Sequence, residues 1–163
     1  MKTSTIQLDY QLPERFDLTY VDENGEKVRP VMVHRTIYGS LERFIGVLIE
    51  HLGGAFPLWL SPVQVNVIPV NIEYHDDYAK EIFDYLYEND IRVENDNRNE
   101  KLGYRMRESQ TRKIPYTLIL GDKEKEDKMV SYRRFGSQDT ITVSKEEFLN
   151  LIKEEIKTKK MYK

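Results

Sequence analysis

The first part of the chain alternates apolar with polar residues. Ile6, Leu8, Tyr10 and Leu12 follow this pattern, and it resumes after Pro13 through Phe16, Leu18 and Tyr20. Period-two alternation predicts extended strands with one buried face. Asn24-Gly25 then supplies a turn, and Val28–Val33 is predicted to return as the second arm of an antiparallel hairpin.

Helical spacing replaces the alternation after this hairpin. Apolar residues recur at helical intervals from Leu41 to Leu52, Ser40 is placed to cap the helix, and Gly53-Gly54 ends it. The segment Ala55–Pro62 contains aromatic residues and prolines, which is typical of a connection. We therefore predict two domains, residues 1–56 and residues 57–163.

Beyond that boundary short apolar runs alternate with amphipathic segments. This order predicts an α/β fold, with a mixed five-stranded sheet flanked by helices. Ile114-Pro115 ends one predicted helix, because a residue before proline avoids helical geometry. Strands are predicted at 64–70, 91–94, 116–120, 129–134 and 140–143, and helices at 77–88, from about 98 to 113, and from 144 towards 160.

Composition narrows the function classes. The 163 residues include no cysteine, which excludes disulfides, thiolate catalysis and cysteine-ligated zinc within the chain. No segment approaches the roughly 20 apolar residues of a membrane helix, and no secretory leader is recognisable. We expect a cytoplasmic protein that makes no membrane contact.

Charge is unevenly distributed in this chain of net charge −3. Six basic residues against two acidic ones occur between Arg98 and Lys113. On a helix, Lys101, Arg105 and Arg112 fall on one side, and this basic stripe is suited to tracking phosphates, whereas Arg107 points elsewhere. A solvated helix face is the structural alternative.

Two residues near the predicted hairpin and helix are candidates for chemistry. His34 lies at a strand end, and Arg43 lies in the first turn of a helix, where its guanidinium fork and the helix dipole favour a polyphosphate. An Arg43 ion pair and a buried, hydrogen-bonded His34 explain the same spacing. Without further residues, the two side chains do not define a site.

Longer motifs resemble one family. The segments Pro30–Arg35, Gly39–Phe44 and Gly54–Val65 resemble the third signature motif of bacterial class II threonyl-tRNA synthetases and the linker that follows it. The resemblance continues through Arg98–Gly103, Arg107-Glu108, Lys113–Tyr116 and Gly121–Glu124, and so covers essentially the whole chain. It implies the end of a class II antiparallel catalytic sheet followed by an anticodon-binding domain.

The resemblance also implies residue roles. His34 matches a ligand of the zinc ion that recognises threonine, and Arg43 matches the catalytic arginine that contacts ATP. The ATP and threonine pocket is implied to include Thr5, Gln7, Ser40 and Arg43. The positions implied to contact the anticodon loop, where the family reads a central guanine and the next uridine, are Asn99, Lys101, Arg107, Lys113, Lys123, Glu124 and Arg133.

The implied activity is that of threonine–tRNA ligase, with Zn and Mg-ATP as cofactors, ATP, threonine and tRNA(Thr) as partners, and a homodimer as the family's assembly. The first two class motifs and the other zinc ligands do not occur in this sequence. One histidine alone does not hold zinc. We therefore expect these 163 residues alone to bind no cofactor and to be catalytically inactive, while retaining anticodon recognition.

Two alternatives stay open from sequence. In the first, the chain is a free-standing tRNA-binding or protein-interaction module with this fold and no ligase activity. In the second, it completes an active site in trans with a separate catalytic polypeptide. The basic positions between Arg98 and Lys113 favour RNA binding over the protein-interaction module.

Overall fold

The computed structural model describes residues 4–161, which form two compact units. The first unit ends at His51 and the second begins at Leu52. The first unit contains β1 (Thr5–Asp9), α1 (Gln11–Arg15), β2 (Tyr20–Val21), β3 (Lys27–Val28), β4 (Met32–Thr36) and α2 (Leu41–Leu52), whose last residue belongs to the second unit.

The first unit is built from two antiparallel strand pairs. β1 pairs with β4, so that Leu8 lies opposite Val33, and β2 pairs with β3. The predicted turn is present: Gly25 adopts a φ of 81°, a left-handed geometry that glycine tolerates, and donates its N–H to the Asp22 carbonyl.

The predicted pairing in this unit was wrong in one respect. Helix α1 interrupts the alternation, and the strand that follows it pairs only through Tyr20 and Val21. Asp9 explains the interruption, because its Oδ1 accepts the backbone N–H groups of Gln11 and Leu12 at 2.9 and 3.0 Å. An aspartate that satisfies these donors favours a helical turn over a continued strand.

The second unit alternates strands and helices as predicted. Its elements are β5 (Val65–Pro69), α3 (Ile72–Tyr87), β6 (Val93–Asn95), α4 (Leu102–Thr111), β7 (Tyr116–Leu120), α5 (Asp122–Asp127), β8 (Met129–Arg134), β9 (Thr140–Ser144) and α6 (Lys145–Thr158). Helix α5 was predicted only as a turn, since its six residues are all charged and give no apolar period.

The five strands form one mixed sheet in the order β6-β5-β7-β8-β9. β5 is parallel to β6 and β7, whereas β8 is antiparallel to β7 and β9. Because β6 and β7 run parallel to β5, the loops that follow them leave the sheet at the same edge. This carboxyl edge places the start of α4 near the start of α5.

One face of the sheet carries the hydrophobic core. Helices α3 and α6 contribute Ile82, Leu86, Phe148 and Ile152, which pack with buried strand residues such as Leu118. Ser144 caps α6 by accepting the Glu147 N–H at 3.1 Å, and Glu147 returns the bond to the Ser144 N–H. The predicted Ser144 cap is therefore confirmed.

The opposite face is only partly covered, and it carries Ile68 and Ile119 on β5 and β7 but polar side chains on β8 and β9. Helix α4 lies against it: the Ser109 hydroxyl is 2.7 Å from the Thr117 hydroxyl of β7, and both residues are buried. Beyond β7, the side chains on this face belong to β8 and β9. We call this half of the face the open polar face and define it by Ser131, Arg133, Thr140 and Thr142.

Candidate nucleic-acid interface

The open polar face follows from the alternation of β8. Val130 and Tyr132 face the hydrophobic core, so Ser131 and Arg133 face the other way. Across the register Ser131 lies opposite Thr142, and Arg133 lies between Thr117 and Thr140. The result is a surface of hydroxyls and one guanidinium with no aliphatic side chain among its defining residues.

Glu124 of α5 reaches this face from the carboxyl edge. Its Oε2 accepts the Gly121 N–H at 2.9 Å, and its Oε1 accepts the Ser131 hydroxyl at 2.6 Å. Desolvation acts to raise the pKa of Glu124, but these hydrogen bonds outweigh it and hold the pKa below its ordinary value. Glu124 is therefore an ionised acceptor fixed beside Ser131.

Arg133 is held at the same surface. Its Nη2 donates to the Thr140 hydroxyl at 3.1 Å. Its Nε is buried and has no hydrogen-bond partner in the part of the chain that the structure describes. Glu124 therefore contacts Ser131, and Arg133 lies two positions further along the same strand, so the open polar face carries a carboxylate and a guanidinium.

The start of α4 brings two more predicted residues to the carboxyl edge. Asn99 lies in the exposed loop before the helix, and Lys101 is the exposed residue at its N-cap position. Lys123 is exposed in the first turn of α5, which begins at the same edge. Asn99, Lys101 and Lys123 thus share an edge with Glu124.

The predicted basic stripe on α4 was wrong. Arg105 is 1% exposed and donates to the carbonyl oxygens of Asp96 and Pro69, both at 2.8 Å. Arg112 forms a bidentate ion pair with Glu94, with N–O distances of 2.8 and 3.0 Å. Arg107 is the exposed cation of α4. Of the three predicted stripe residues only Arg105 is turned towards the sheet, whereas Lys101 and Arg112 flank the helix and are exposed.

Lys113 lies apart from the other predicted contacts. It follows the C-terminal end of α4, at the opposite edge of the sheet from Lys101, and adopts a φ of 57°. Its ammonium donates to the Gly53 carbonyl. A hydrogen bond to the segment before the sheet competes with an RNA phosphate, so its role as an anticodon contact stays a prediction.

In the first unit, two of the predicted pocket residues and the predicted zinc ligand His34 lie on the β1–β4 pair. Gln7 lies opposite His34, and Thr5 lies opposite Thr36. His34 Nε2 is 2.9 Å from Asp9 Oδ2, and because a carboxylate only accepts, the ring N–H donates. The backbone N–H of Leu12 and then this ring keep the pKa of Asp9 below its ordinary value.

The other two pocket residues lie at the start of α2. The Ser40 hydroxyl accepts the Arg43 backbone N–H at 3.3 Å and donates to Glu42 at 2.7 Å, and the Arg43 side chain is exposed. The predicted Ser40 cap is present in this form. The implied roles of Thr5, Gln7, Ser40 and Arg43 in binding ATP and threonine stay predictions.

A zinc site does not fit the residues that are present. Within residues 4–161 no group of three His, Asp or Glu side chains is arranged to hold a metal ion, and His34 has one carboxylate beside it. A metal ion at Nε2 would have to take that nitrogen from Asp9. The implied role of His34 as a zinc ligand therefore needs further ligands from outside this set.

A cavity of about 630 Å³ lies on the core side of the sheet, beside α6. Its lining contains none of the predicted site residues and four carboxylates, namely Asp139, Glu147, Glu154 and Glu155. The lining also contains Arg134 and Lys160, but the carboxylates outnumber these cations, so the cavity is a poor site for nucleic acid. Among the helices of residues 4–161, none is long and apolar enough to cross a membrane.

Sequence reasoning missed Ser131, Thr140 and Thr142 as parts of the polar surface. The signal was present: polar residues alternate with apolar ones in both Met129–Arg134 and Thr140–Ser144. Two neighbouring strands with matching polar positions predict a polar sheet face. Only their register shows that Ser131 lies opposite Thr142.

Comparisons with known proteins divide the chain in a similar way. Residues 1–52 match the family described as tRNA synthetase class II core domain (G, H, P, S and T), and residues 64–155 match the one described as anticodon binding domain. The fold and these matches define the class, which is that of the class II aminoacyl-tRNA synthetases. The chain belongs to their anticodon-binding domain family, and its relatives are threonyl-tRNA synthetases.

Three threonine–tRNA ligases are similar in sequence to nearly the whole chain. It is 56% identical over 97% of its length to the threonine–tRNA ligase of Oceanobacillus iheyensis. It is 56% identical over 95% to that of Caldanaerobacter subterraneus and 58% identical over 95% to that of Clostridium botulinum. In each case the chain spans 24% of the relative, about a quarter of its length.

A solved structure supports the fold. The crystal structure of the RNA-binding domain of threonyl-tRNA synthetase from Cryptosporidium parvum matches with a TM-score of 0.80 and 35% identity, over 93% of this chain and 38% of the other. The predicted fold class and the resemblance to threonyl-tRNA synthetases are confirmed. These comparisons favour the ligase family over the alternative of a free-standing tRNA-binding or protein-interaction module with this fold and no ligase activity.

Proposed function

We propose that the chain supplies anticodon recognition to a threonine–tRNA ligase, the enzyme that attaches threonine to tRNA(Thr) at the expense of ATP. The observation that carries this proposal is that ionised Glu124, held by Ser131, and Arg133, held by Thr140, both lie at the open polar face. A guanidinium and a carboxylate match the acceptor and donor groups of a splayed guanine.

The cations around this face account for affinity. Lys101 and Lys123 lie at the carboxyl edge and Arg107 on the exposed side of α4, where they attract loop phosphates without reading sequence. Asn99 carries an amide that pairs with a base edge. Some of the assigned residues therefore discriminate between bases, and the others attract phosphates.

We assign residues 57–163 to this recognition and residues 1–56 to the end of the catalytic domain. There Thr5, Gln7, Ser40 and Arg43 contribute to the ATP and threonine site, and Arg43 contacts ATP. Mg-ATP and zinc belong to the intact ligase, as does the homodimer. Its place in translation puts the protein in the cytoplasm.

The proposal is tested by a double substitution, Glu124→Ala with Arg133→Ala. Binding to RNA stem-loops that differ only in anticodon is measured at two salt concentrations. We expect the preference for the threonine anticodon to fall at least tenfold, because each base-reading pair contributes about 1–3 kcal/mol, while affinity for the other loops changes little.

The matched control is Lys153→Ala, which removes a cation from α6 on the other side of the sheet, where Lys153 donates to Asn89. This variant should keep the preference of the wild type. An equal loss of affinity for every loop in the double variant would contradict base recognition by Glu124 and Arg133.

A further inference from the structure

Two hydroxyls connect β9 to the Glu124 carboxylate. The Thr142 Oγ1 lies 2.7 Å from Ser131 Oγ, and Ser131 Oγ lies 2.6 Å from Glu124 Oε1. An ionised carboxylate only accepts hydrogen bonds, so Ser131 uses its single proton on Glu124. It must then accept from Thr142, which gives the chain one direction, from Thr142 through Ser131 to Glu124.

The chain fixes Glu124 together with the start of α5. The Gly121 N–H holds Oε2 at 2.9 Å while Ser131 holds Oε1. Two donors from different elements leave the carboxylate one orientation, with its remaining lone pairs available to a ligand. Side chains locked in this way recognise ligands more selectively than free ones, because less freedom is lost on binding.

Burial strengthens the link. Ser131 is 4% exposed, so its bond to the carboxylate has little competition from water. Desolvation pushes the pKa of Glu124 upwards, and the bonds from Ser131 and Gly121 more than compensate and keep it low. Removal of the Ser131 hydroxyl should therefore move that pKa upwards.

We propose that Ser131 and Thr142 are positioning residues that orient the Glu124 carboxylate to accept the N–H donors of a guanine in the bound RNA loop. This inference rests on the proposed function of the open polar face. Ser131 acts through Glu124, and Thr142 acts through Ser131.

A second hydroxyl pair on the same sheet face provides a matched control. Ser109 of α4 and Thr117 of β7 are also 2.7 Å apart and buried, but within residues 4–161 neither makes a hydrogen bond to a carboxylate. Ser109→Ala therefore removes a buried serine hydroxyl from the same domain without touching Glu124. A general loss of sheet packing would affect Ser109→Ala and Ser131→Ala alike.

The test compares Ser131→Ala, Thr142→Val and Ser109→Ala with the wild type, using stem-loops that carry guanine or inosine at the central anticodon position. Inosine lacks the exocyclic amine that a carboxylate binds. We expect Ser131→Ala to lower the guanine preference about three- to tenfold, the range for the net contribution of one typical hydrogen bond. Thr142→Val should produce a smaller loss in the same direction.

The pH profile separates positioning from packing. As pH falls, protonated Glu124 loses its capacity to accept both guanine donors, so the preference disappears on the acid side. In Ser131→Ala this loss should begin at a higher pH than in the wild type, whereas Ser109→Ala should follow the wild type. Tryptophan fluorescence from Trp59 checks that each variant is folded.

Three outcomes are distinguishable. An unchanged preference and pH profile in both Ser131→Ala and Thr142→Val would overturn the inference and leave the proposed function standing. A wild type that binds both loops equally would contradict base reading itself. If Ser131→Ala does not fold, Thr142→Val, which alters an exposed residue, still decides the question.

Discussion

Arg105 and Arg107 are two positions apart on α4 and have opposite environments. Arg105 is buried and donates to the Asp96 and Pro69 carbonyls, which follow or end neighbouring strands, whereas Arg107 is exposed. A sequence pattern assigns both to a basic helix, because periodicity shows which residues share a face and not which way that face points. The helix is oriented by contacts such as Ser109 with Thr117.

This difference gives a prediction for stability. Arg105→Met should reduce the free energy of unfolding by about 2–4 kcal/mol, because it leaves buried carbonyl oxygens without donors. Arg107→Ala should change it by less than about 0.5 kcal/mol, as expected for an exposed side chain. Urea unfolding followed by Trp59 fluorescence measures both, since this single tryptophan lies in the second unit.

A shift of the urea midpoint with an unchanged slope identifies a loss of stability rather than a change in compactness. Equal urea midpoints for the two variants would contradict a stabilising role for the buried hydrogen bonds that Arg105 donates to the Asp96 and Pro69 carbonyls. Arg107→Ala would still be expected to weaken RNA binding uniformly across sequences.

At the scale of elements, the strongly periodic segments were predictable and the short charged ones were not. The strands β5, β7 and β8 combine apolar residues with clear boundaries, and α6 begins at a capping serine. Helix α5 has no apolar face, and its start is stabilised by the Glu124 carboxylate, which accepts the Gly121 N–H. This bond also positions Glu124. Because the sequence did not predict α5, it could not predict the position of the Glu124 carboxylate.

The cap of α6 gives a prediction at this scale. Ser144→Ala removes the hydroxyl that accepts the Glu147 N–H and should cost about 1 kcal/mol of stability, whereas Ser144→Gly should cost a few tenths. Thermal or urea unfolding ranks the two variants. A glycine variant less stable than the alanine variant would show that the side-chain cap is not what holds the start of α6.

At the scale of the whole molecule, the two units differ in how they bury their residues. Every member of the hydrophobic core cluster belongs to the second unit, and α2 of the first unit buries none of its residues. The second unit therefore carries a core of its own, on which the polar sheet face is supported. Residue motifs identified the family, but they did not locate the open polar face.

The pairing between strands decides where that face lies. Glu124 and Arg133 are nine positions apart in sequence, and both reach this face because α5 returns the chain into β8 beside β7. Sequence resemblance named both residues, and it named Lys113 with them, which the structure places at the opposite edge of the sheet. The resemblance presents these positions as one set. Their places in the fold separate Lys113 from Glu124 and Arg133.

The central claim is that the open polar face reads the anticodon loop. Amide chemical-shift changes in the isotope-labelled chain, recorded with two stem-loops that differ only in anticodon, test it most directly. We predict that differences between the two loops concentrate at Glu124, Ser131 and Arg133, while changes common to both appear around Lys101 and Lys123. Differences confined to α3 and α6, on the other face of the sheet, would contradict the account, as would identical changes with both loops.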